Sequence, residues 1–225
     1  MSELPVEQRP KAVVIYSGGM DSFTLLNWAI QQGYQPYPVS FHYGQRHERE
    51  LHVAAKVCEI LSLRHQQIDL RAITPLIDGS ALTGGQEVPD GAYAADNLAA
   101  TIVPNRNMIL LSLAVGYAVN IGAEVCFYGA HGGDHVLYPD CTPEFVREMD
   151  KLAQLANLEP VRIEAPFLHQ TKADILRQGL AMDLDYAQSW TCYKGEQLAC
   201  GRCSACCERL EAFAACGLQD PLEYA

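Results

Sequence analysis

A doubly wound α/β fold, with a mostly parallel five-stranded sheet and helices on both faces, is the architecture this sequence predicts. Three observations predict it. Short apolar runs alternate along the chain with longer segments of helical periodicity. The first apolar run breaks at the pair Gly18-Gly19 and passes straight into a helical pattern, the strand–turn–helix unit of parallel sheets. Finally, the first strand-like run, Ala12-Val13-Val14-Ile15, is apolar throughout, as a strand buried on both faces is.

Taken in order, residues 11–16 form a buried first strand and residues 21–32 a helix ended by Gly33. Residues 38–43 form a second strand closed by Gly44. Residues 47–61 are helical, with Leu51, Ala54, Ala55, Cys58 and Leu61 on one face, and a short third strand covers residues 65–70. Residues 74–104 are rich in Gly, Pro, Asp and Ala without periodicity. A connection of ~30 residues inside a compact domain is usually a lid or binding loop. An apolar helix over 107–120 leads to a fourth strand at 124–128, ending in Gly129. A helix at 143–157, a fifth strand at 161–164 and a helix at 171–179 complete the pattern. Ligands of such sheets sit beyond the C-terminal ends of the strands, so the loops at 17–21, 43–47 and 129–141 are expected to converge.

Composition excludes several classes. The 225 residues suffice for one sizeable domain with a small appendage. A net charge of −11 leaves no global electrostatic footprint for nucleic acid. The segment 1–10 is polar, with Glu3 and Glu7, and lacks the apolar core of a signal peptide. The longest apolar stretch, 108–118, falls short of the ~20 residues that span a bilayer. Nine cysteines, an odd number without an export signal, point to reduced thiols, metal binding and the cytoplasm.

The turn Ser17-Gly18-Gly19-Met20-Asp21-Ser22 is suited to an anion. Glycines let the backbone approach, several N–H groups converge, and the helix N-terminus adds partial positive charge. A Walker loop requires a lysine that is absent here, and a dinucleotide fingerprint requires Gly-x-Gly spacing that the adjacent glycines do not give. An ordinary strand-to-helix turn with a Ser or Asp cap is the plain alternative. The hexapeptide resembles the S-G-G-x-D-S loop of the ATP pyrophosphatase superfamily, whose fold is adenine nucleotide alpha hydrolase-like. Members cleave ATP between the α and β phosphates and pass AMP to a substrate oxygen. The resemblance implies ATP contacts at Tyr16, Ser17, Gly18, Gly19, Met20, Asp21, Ser22 and Phe23, with Asp21 placing magnesium or ordering the loop. It divides the chain into a nucleotide-binding α/β domain at 11–185 and a C-terminal zinc-binding segment at 186–225 packed on it.

That segment carries Cys192, Cys200, Cys203 and Cys206 in the spacing C-x7-C-x2-C-x2-C. Four thiolates satisfy tetrahedral zinc at ~2.3 Å per bond, and a closed site of this kind is structural, one zinc per chain. An iron–sulfur cluster is the rival, because close cysteine triplets also suit cubanes. Cys207 could replace Cys206, but the x2 pairing favours Cys206. Cys58, Cys126 and Cys216 are most simply small buried residues.

Several segments together resemble one family, the 7-cyano-7-deazaguanine synthases of queuosine precursor biosynthesis, from Ala12 to about Arg209. Phe41-His42-Tyr43-Gly44-Gln45-Arg46-His47 is similar to its F-x-Y-G-Q-R-H. Val103-Pro104-Asn105-Arg106-Asn107 is similar to V-P-G-R-N, and Asp134 with Tyr138-Pro139-Asp140-Cys141 to D-x3-Y-P-D-C. Thr191-Cys192-Tyr193 and the cysteine run to Arg209 match its zinc segment. Two positions depart: Asn105 replaces a usual glycine, and His42 stands where an acid is common. Asn tolerates left-handed backbone better than most residues, so Asn105 is expected to keep the turn.

The resemblance implies ATP-dependent ligation of ammonia to 7-carboxy-7-deazaguanine, giving the nitrile through adenylated carboxylate and amide, with AMP and pyrophosphate released. It implies Asp21, Arg46 and Lys172 as catalytic residues, with magnesium accompanying ATP. Substrate contacts fall on Tyr43, Gln45, Arg46, Arg106, Asp134 and Asp140. A cation at a helix start, such as Arg106, opposes the helix dipole, and that cost suggests a ligand. His47 is a candidate proton shuttle or a plain helix residue. Cys141 is expected to pack or line the pocket, since an acyl-adenylate route needs no thiol. Neither nucleic acid nor membrane is expected as a partner, and the resemblance implies a homodimer. A tRNA-modifying thiolase or lysidine-type ligase shares the loop, but would bring basic patches or an RNA-binding domain. A non-catalytic zinc interaction module would leave the Ser17–Ser22 loop without a purpose.

Overall fold

Strand order decides where this molecule can hold a ligand. The computed structural model describes residues 5, 8–46, 48–84, 87–91, 100–134, 138–194 and 197–225. Within them β1 (Lys11–Ile15), β2 (Gln35–His42), β3 (Gln66–Asp69), β4 (Val125–Phe127) and β5 (Arg162–Glu164) form one sheet in the order β3-β2-β1-β4-β5. All four pairings are parallel. The winding direction reverses between β1 and β4, which opens a crevice at the C-terminal ends of those strands.

Seven helices are described: α1 (Met20–Gln31), α2 (Arg49–Ile60), α3 (Thr74–Ile77), α4 (Arg106–Ile121), α5 (Pro143–Ala156), α6 (Lys172–Leu180) and α7 (Ser204–Ala215). The two-residue period of the strands sends alternate side chains to opposite layers. Ala12, Val14 and Phe127 pack with Leu25 and Leu26 of α1, Val57 of α2, Ile175 of α6 and Phe213 of α7. Val13, Phe41 and Cys126 face the other way, onto Leu111 and Ala114 of α4 and Met149 of α5. Helices cover both faces of the sheet, and the expected doubly wound architecture is the observed one.

β2 begins at Gln35, earlier than the expected 38, despite Pro36 and Pro38. The ladder explains why both prolines are tolerated. Gln35 N donates to Pro10 O and Val39 O accepts from Tyr16 N, so odd-numbered residues of β2 bond toward β1. Pro36 and Pro38 therefore turn their missing N–H groups toward β3, which pairs with β2 only from Val39 onward. No ladder bond is lost.

Helix α7 was not anticipated from the sequence, where the cysteine spacing dominates its first turn. It packs on α6, and its segment joins the body through the isolated bridge Asp90–Cys203, while the bridge Ala199–Tyr224 closes the segment on itself. Cys216, expected buried, is partly exposed just beyond α7. Among the described residues no helix is long and apolar enough to cross a membrane.

Candidate active site

The β1–α1 turn is shaped by one backbone requirement. Gly18 has φ +91°, and a Cβ there would lie 2.3 Å from the carbonyl oxygen of Glu50, so any side chain is excluded on both counts. The two serines then knit the loop. Ser22 Oγ donates to Gly19 O at 3.0 Å and lies 3.1 Å from Ser17 Oγ, while Ser17 Oγ accepts from Gly19 N at 3.2 Å.

Beyond this turn a cavity of about 240 Å³ opens at the switch point, many times the space of one water. It is bounded by the β1–α1 turn, the ends of β2 and β4, and the starts of α2, α4 and α6, so the loops expected to converge do so.

One end of the cavity is ionic. Lys172, the first residue of α6, places Nζ 3.2 Å from Asp21 Oδ2 and hydrogen-bonds Glu208 Oε2 on α7. His131, nearly inaccessible, has Nε2 3.6 Å from Asp134 Oδ2 and 3.9 Å from Asp21 Oδ2 and Glu208 Oε1. Burial works against ionisation of Asp21, but Lys172 and His131 outweigh it and hold its carboxyl below the usual range. Burial likewise opposes the Lys172 ammonium, and Asp21 and Glu208 reverse the balance, so Lys172 stays a cation. Asp134 is pushed up, chiefly by burial. Asp21 Oδ1 and the Tyr128 hydroxyl, both of wall residues, are buried without a hydrogen-bond partner. Buried polar atoms left unpaired usually await something.

The other end is aromatic. Arg106 opens α4 with its guanidinium 3.4 Å from the Tyr43 hydroxyl and 5.9 Å from that ring's centre. Tyr138 and Tyr193 complete this wall, with Thr101 Oγ1 3.0 Å from the Tyr138 hydroxyl. Asn105, just before Arg106, takes the left-handed conformation at φ +57°, as its residue type suggested. Asp140 Oδ2 accepts from Asn107 N at 3.1 Å, placing an anion at a helix start that carries a cation. Cys141 lies on the wall with its thiol pushed up by burial, a poor nucleophile.

Of the residues singled out from sequence, Tyr16, Ser17, Gly19, Met20, Asp21, Ser22, Tyr43, Gln45, Arg106, Asp134 and Lys172 share the cavity wall. Four described ones lie off it. Gly18 forms the turn behind the wall, and Phe23 packs edge-on against Tyr186. Arg46 is exposed, and Asp140 serves α4 as above. His47 lies outside the described residues. Gln45 spends its amide on its own turn, Oε1 accepting from Tyr43 N and Nε2 donating to Phe41 O. His42 is similarly local, accepting from Gly44 N and pairing with Glu48.

Three charged residues of this region went unread in the sequence. Glu50 shares the buried face of α2 with Ala54 and Val57, and its carboxyl is pushed up to about 8 by burial, against the pull of Arg106. An acid in an apolar register was the available signal. His131 follows β4 in an unremarkable glycine-rich turn, and Glu208 sits in the helix masked by cysteines.

Cys192, Cys200, Cys203 and Cys206 come together behind the aromatic end, all buried, with sulfurs within 4.8 Å of one another. Thiolates on one tetrahedral ion at ~2.3 Å are about 3.8 Å apart, so the set fits a metal ion. Cys200 N donates to Cys192 Sγ and Cys203 N to Cys200 Sγ. Cys207 points away, its thiol toward Arg202 O.

Comparison with known proteins places this geometry. The model of the family described as queuosine biosynthesis protein QueC matches residues 11–217. The 7-cyano-7-deazaguanine synthase of Chromohalobacter salexigens is 64% identical over 220 residues, covering 97% of this chain and 88% of that one. Those of Marinobacter nauticus (60%, covering 94% and 96%) and Pseudoalteromonas translucida (59%, covering 95% and 98%) are similarly close. Among solved structures, NMN synthetase from Francisella tularensis aligns with a TM-score of 0.52 over 95% of this chain and 79% of that chain. At 13% identity the likeness is one of fold.

Proposed function

The chain belongs to the QueC family of queuosine biosynthesis proteins, and on that premise we propose that its cavity converts 7-carboxy-7-deazaguanine and ammonia to 7-cyano-7-deazaguanine at the expense of ATP. One observation carries the reading: a single cavity joins an anion turn with a buried lysine at one end to an arginine–tyrosine wall at the other.

A carboxylate is a poor electrophile. Its oxygen attacks the α-phosphorus of ATP, pyrophosphate leaves, and the acyl-adenylate can be displaced by ammonia to give the amide and AMP. The amide oxygen attacks a second ATP, pyrophosphate leaves again, and loss of AMP and of both amide protons leaves the nitrile. Charge grows on the leaving pyrophosphate in both adenylations, so fixed donors and cations there lower the barrier. The 17–22 turn and Lys172 supply them. Tyr16, Met20 and Phe23 shape the ATP site around the turn. Arg106, backed by Tyr43, faces the substrate carboxylate and suits it as a fork of donors. Asp134 can accept from the N–H edge of the base. Gln45 and Asp140 hold the Tyr43 turn and the start of α4, and Arg46 stands outside as a cation for incoming anions. Asp21 would hold magnesium, which supplies charge neutralisation on the phosphates.

Zinc is the metal that best suits four thiolates gathered this closely, because a cubane gives each thiolate its own iron and spreads the sulfurs. The site is closed and structural, and it fixes the fold of the segment 186–225 that packs on the body at 11–185. We also assign the protein to the cytoplasm, where the thiols stay reduced, and to a homodimer. A shallow apolar groove along Leu70, Ile73, Met108, Ile109 and Leu113 supports the latter.

Incubating zinc-replete protein with ATP, magnesium, ammonia and the 7-carboxy base should yield AMP and the nitrile mass, two AMP per nitrile. Absence of both overturns the reading. Elemental analysis should give one zinc per chain in colourless protein, and light scattering the mass of a dimer.

A further inference from the structure

Glu208 belongs to the C-terminal cysteine segment, two residues beyond Cys206, yet its carboxylate reaches Lys172, a residue of the cavity wall. Oε2 receives a hydrogen bond from Lys172 Nζ, and Oε1 lies 3.9 Å from His131 Nε2. A Cβ on Gly133 would stand 3.2 Å from that same oxygen and 3.0 Å from the His131 ring, so the glycine in the β4 loop keeps this corner uncrowded. Both members of the pair are largely withdrawn from solvent, 9% exposed for the Lys172 side chain and 14% for Glu208. The carboxylate has little freedom, because its helix is fixed by the next residue. Arg209 is fully buried and bonded to Asp220, Ser189, Thr191 and Tyr186.

We propose that Glu208 is a positioning residue for ATP cleavage: it holds the Lys172 ammonium away from full engagement with Asp21, so that the cation stays directed at the phosphates beside the 17–22 turn. A lysine stem has four rotatable carbons and keeps no fixed direction by itself. With Asp21 as its only partner, Nζ would collapse onto that carboxylate and neutralise both. Glu208 as a second partner makes the lysine a cation shared between two acids. The inference rests on the reading of Lys172 as the pyrophosphate cation. It gives the cysteine segment a part in the chemistry, since the segment carries Glu208 to Lys172.

A double-mutant cycle tests it, with ATP-dependent AMP release as the readout. Glu208→Gln keeps the shape and one acceptor but removes the charge. Its kcat/KM for ATP should fall about 10- to 100-fold, with KM for the 7-carboxy base within about twofold of wild type. Glu208→Asp keeps the charge and should recover part of the loss. In a Lys172→Met background, Glu208→Gln should cost nothing further. Wild-type ATP kinetics in Glu208→Gln would overturn the proposal, as would an equal added loss in the Lys172→Met background. So would a loss tracking a fall in metal content and thermal midpoint, which marks a structural residue. If Lys172→Met alone keeps full activity, the reading of Lys172 fails instead, and that result is separable from the behaviour of Glu208→Gln.

Discussion

Arg209 and Lys172 are both buried cations in the C-terminal half of the chain, and they are treated in opposite ways. Every direction from the Arg209 guanidinium is answered. Both Asp220 oxygens accept from it, at 2.6 and 2.9 Å, and Ser189 Oγ, Thr191 Oγ1 and Tyr186 O take the rest. Lys172 has two acids, but it faces open space, with Asp21 Oδ1 unpaired beside it and further carboxyl groups close by. A buried charge whose partners saturate it holds a fold together. One whose partners leave room and surplus charge is poised for a ligand.

That contrast can be broken from either side. The largest effect should come from Asp220→Ala, which strands an arginine in a dry interior. Urea unfolding should show a loss of about 3–5 kcal/mol. A loss under about 1 kcal/mol would mean that the network is incidental. Lys172→Met should do the reverse: AMP release falls about 100- to 1,000-fold, some 3–4 kcal/mol of transition-state stabilisation, while the unfolding free energy changes less than in Asp220→Ala. Water entering the cavity can hydrate the acids left behind, which the Arg209 site does not allow.

Glu50 sharpens the comparison with a third kind of buried charge, one that escapes burial by keeping its proton. Its carboxyl rises from the usual 4.5 to about 8, burial outweighing Arg106. Between those two values the unfolded chain has lost a proton that the folded chain retains, so this group makes stability fall as pH rises through the window. Above about 8 both states are ionised and its contribution levels off. Glu50→Gln removes the titration. The variant should be more stable than wild type at pH 8 by at least about 1.4 kcal/mol, one unit's worth, and its stability should vary less from pH 5 to 8. Parallel pH profiles for the two proteins, followed by thermal or urea unfolding, would place Glu50 in contact with water or a fixed cation.

Much of this was legible beforehand because it is local. Glycine at 18 and asparagine at 105 are read from backbone freedom, and the parallel sheet from the alternation of strand-like and helical segments. The cysteine spacing already selected Cys206 over Cys207. Partnerships were less legible. Glu208 and Lys172 lie 36 residues apart, in helices whose contact no spacing encodes, and α7 itself was hidden by its cysteines. Arg46 looked equivalent to Arg106 in sequence, each a cation beside a helix start. Only the packing of α4 against the Tyr43 turn draws Arg106 inward and leaves Arg46 exposed.

The sequence by itself determined the alternation of strands and helices, the anion turn and the four thiolates, because periodicity, backbone freedom and close spacing are properties of short stretches. The tertiary structure decided which charges meet. Chain reversal at the β1–β4 switch brings residues 21, 50, 106, 134 and 172 to one cavity, with Glu208 against Lys172, and burial there sets which of them keep their charge. Desolvation depends on everything packed around a group, so no single stretch of the chain carries that information.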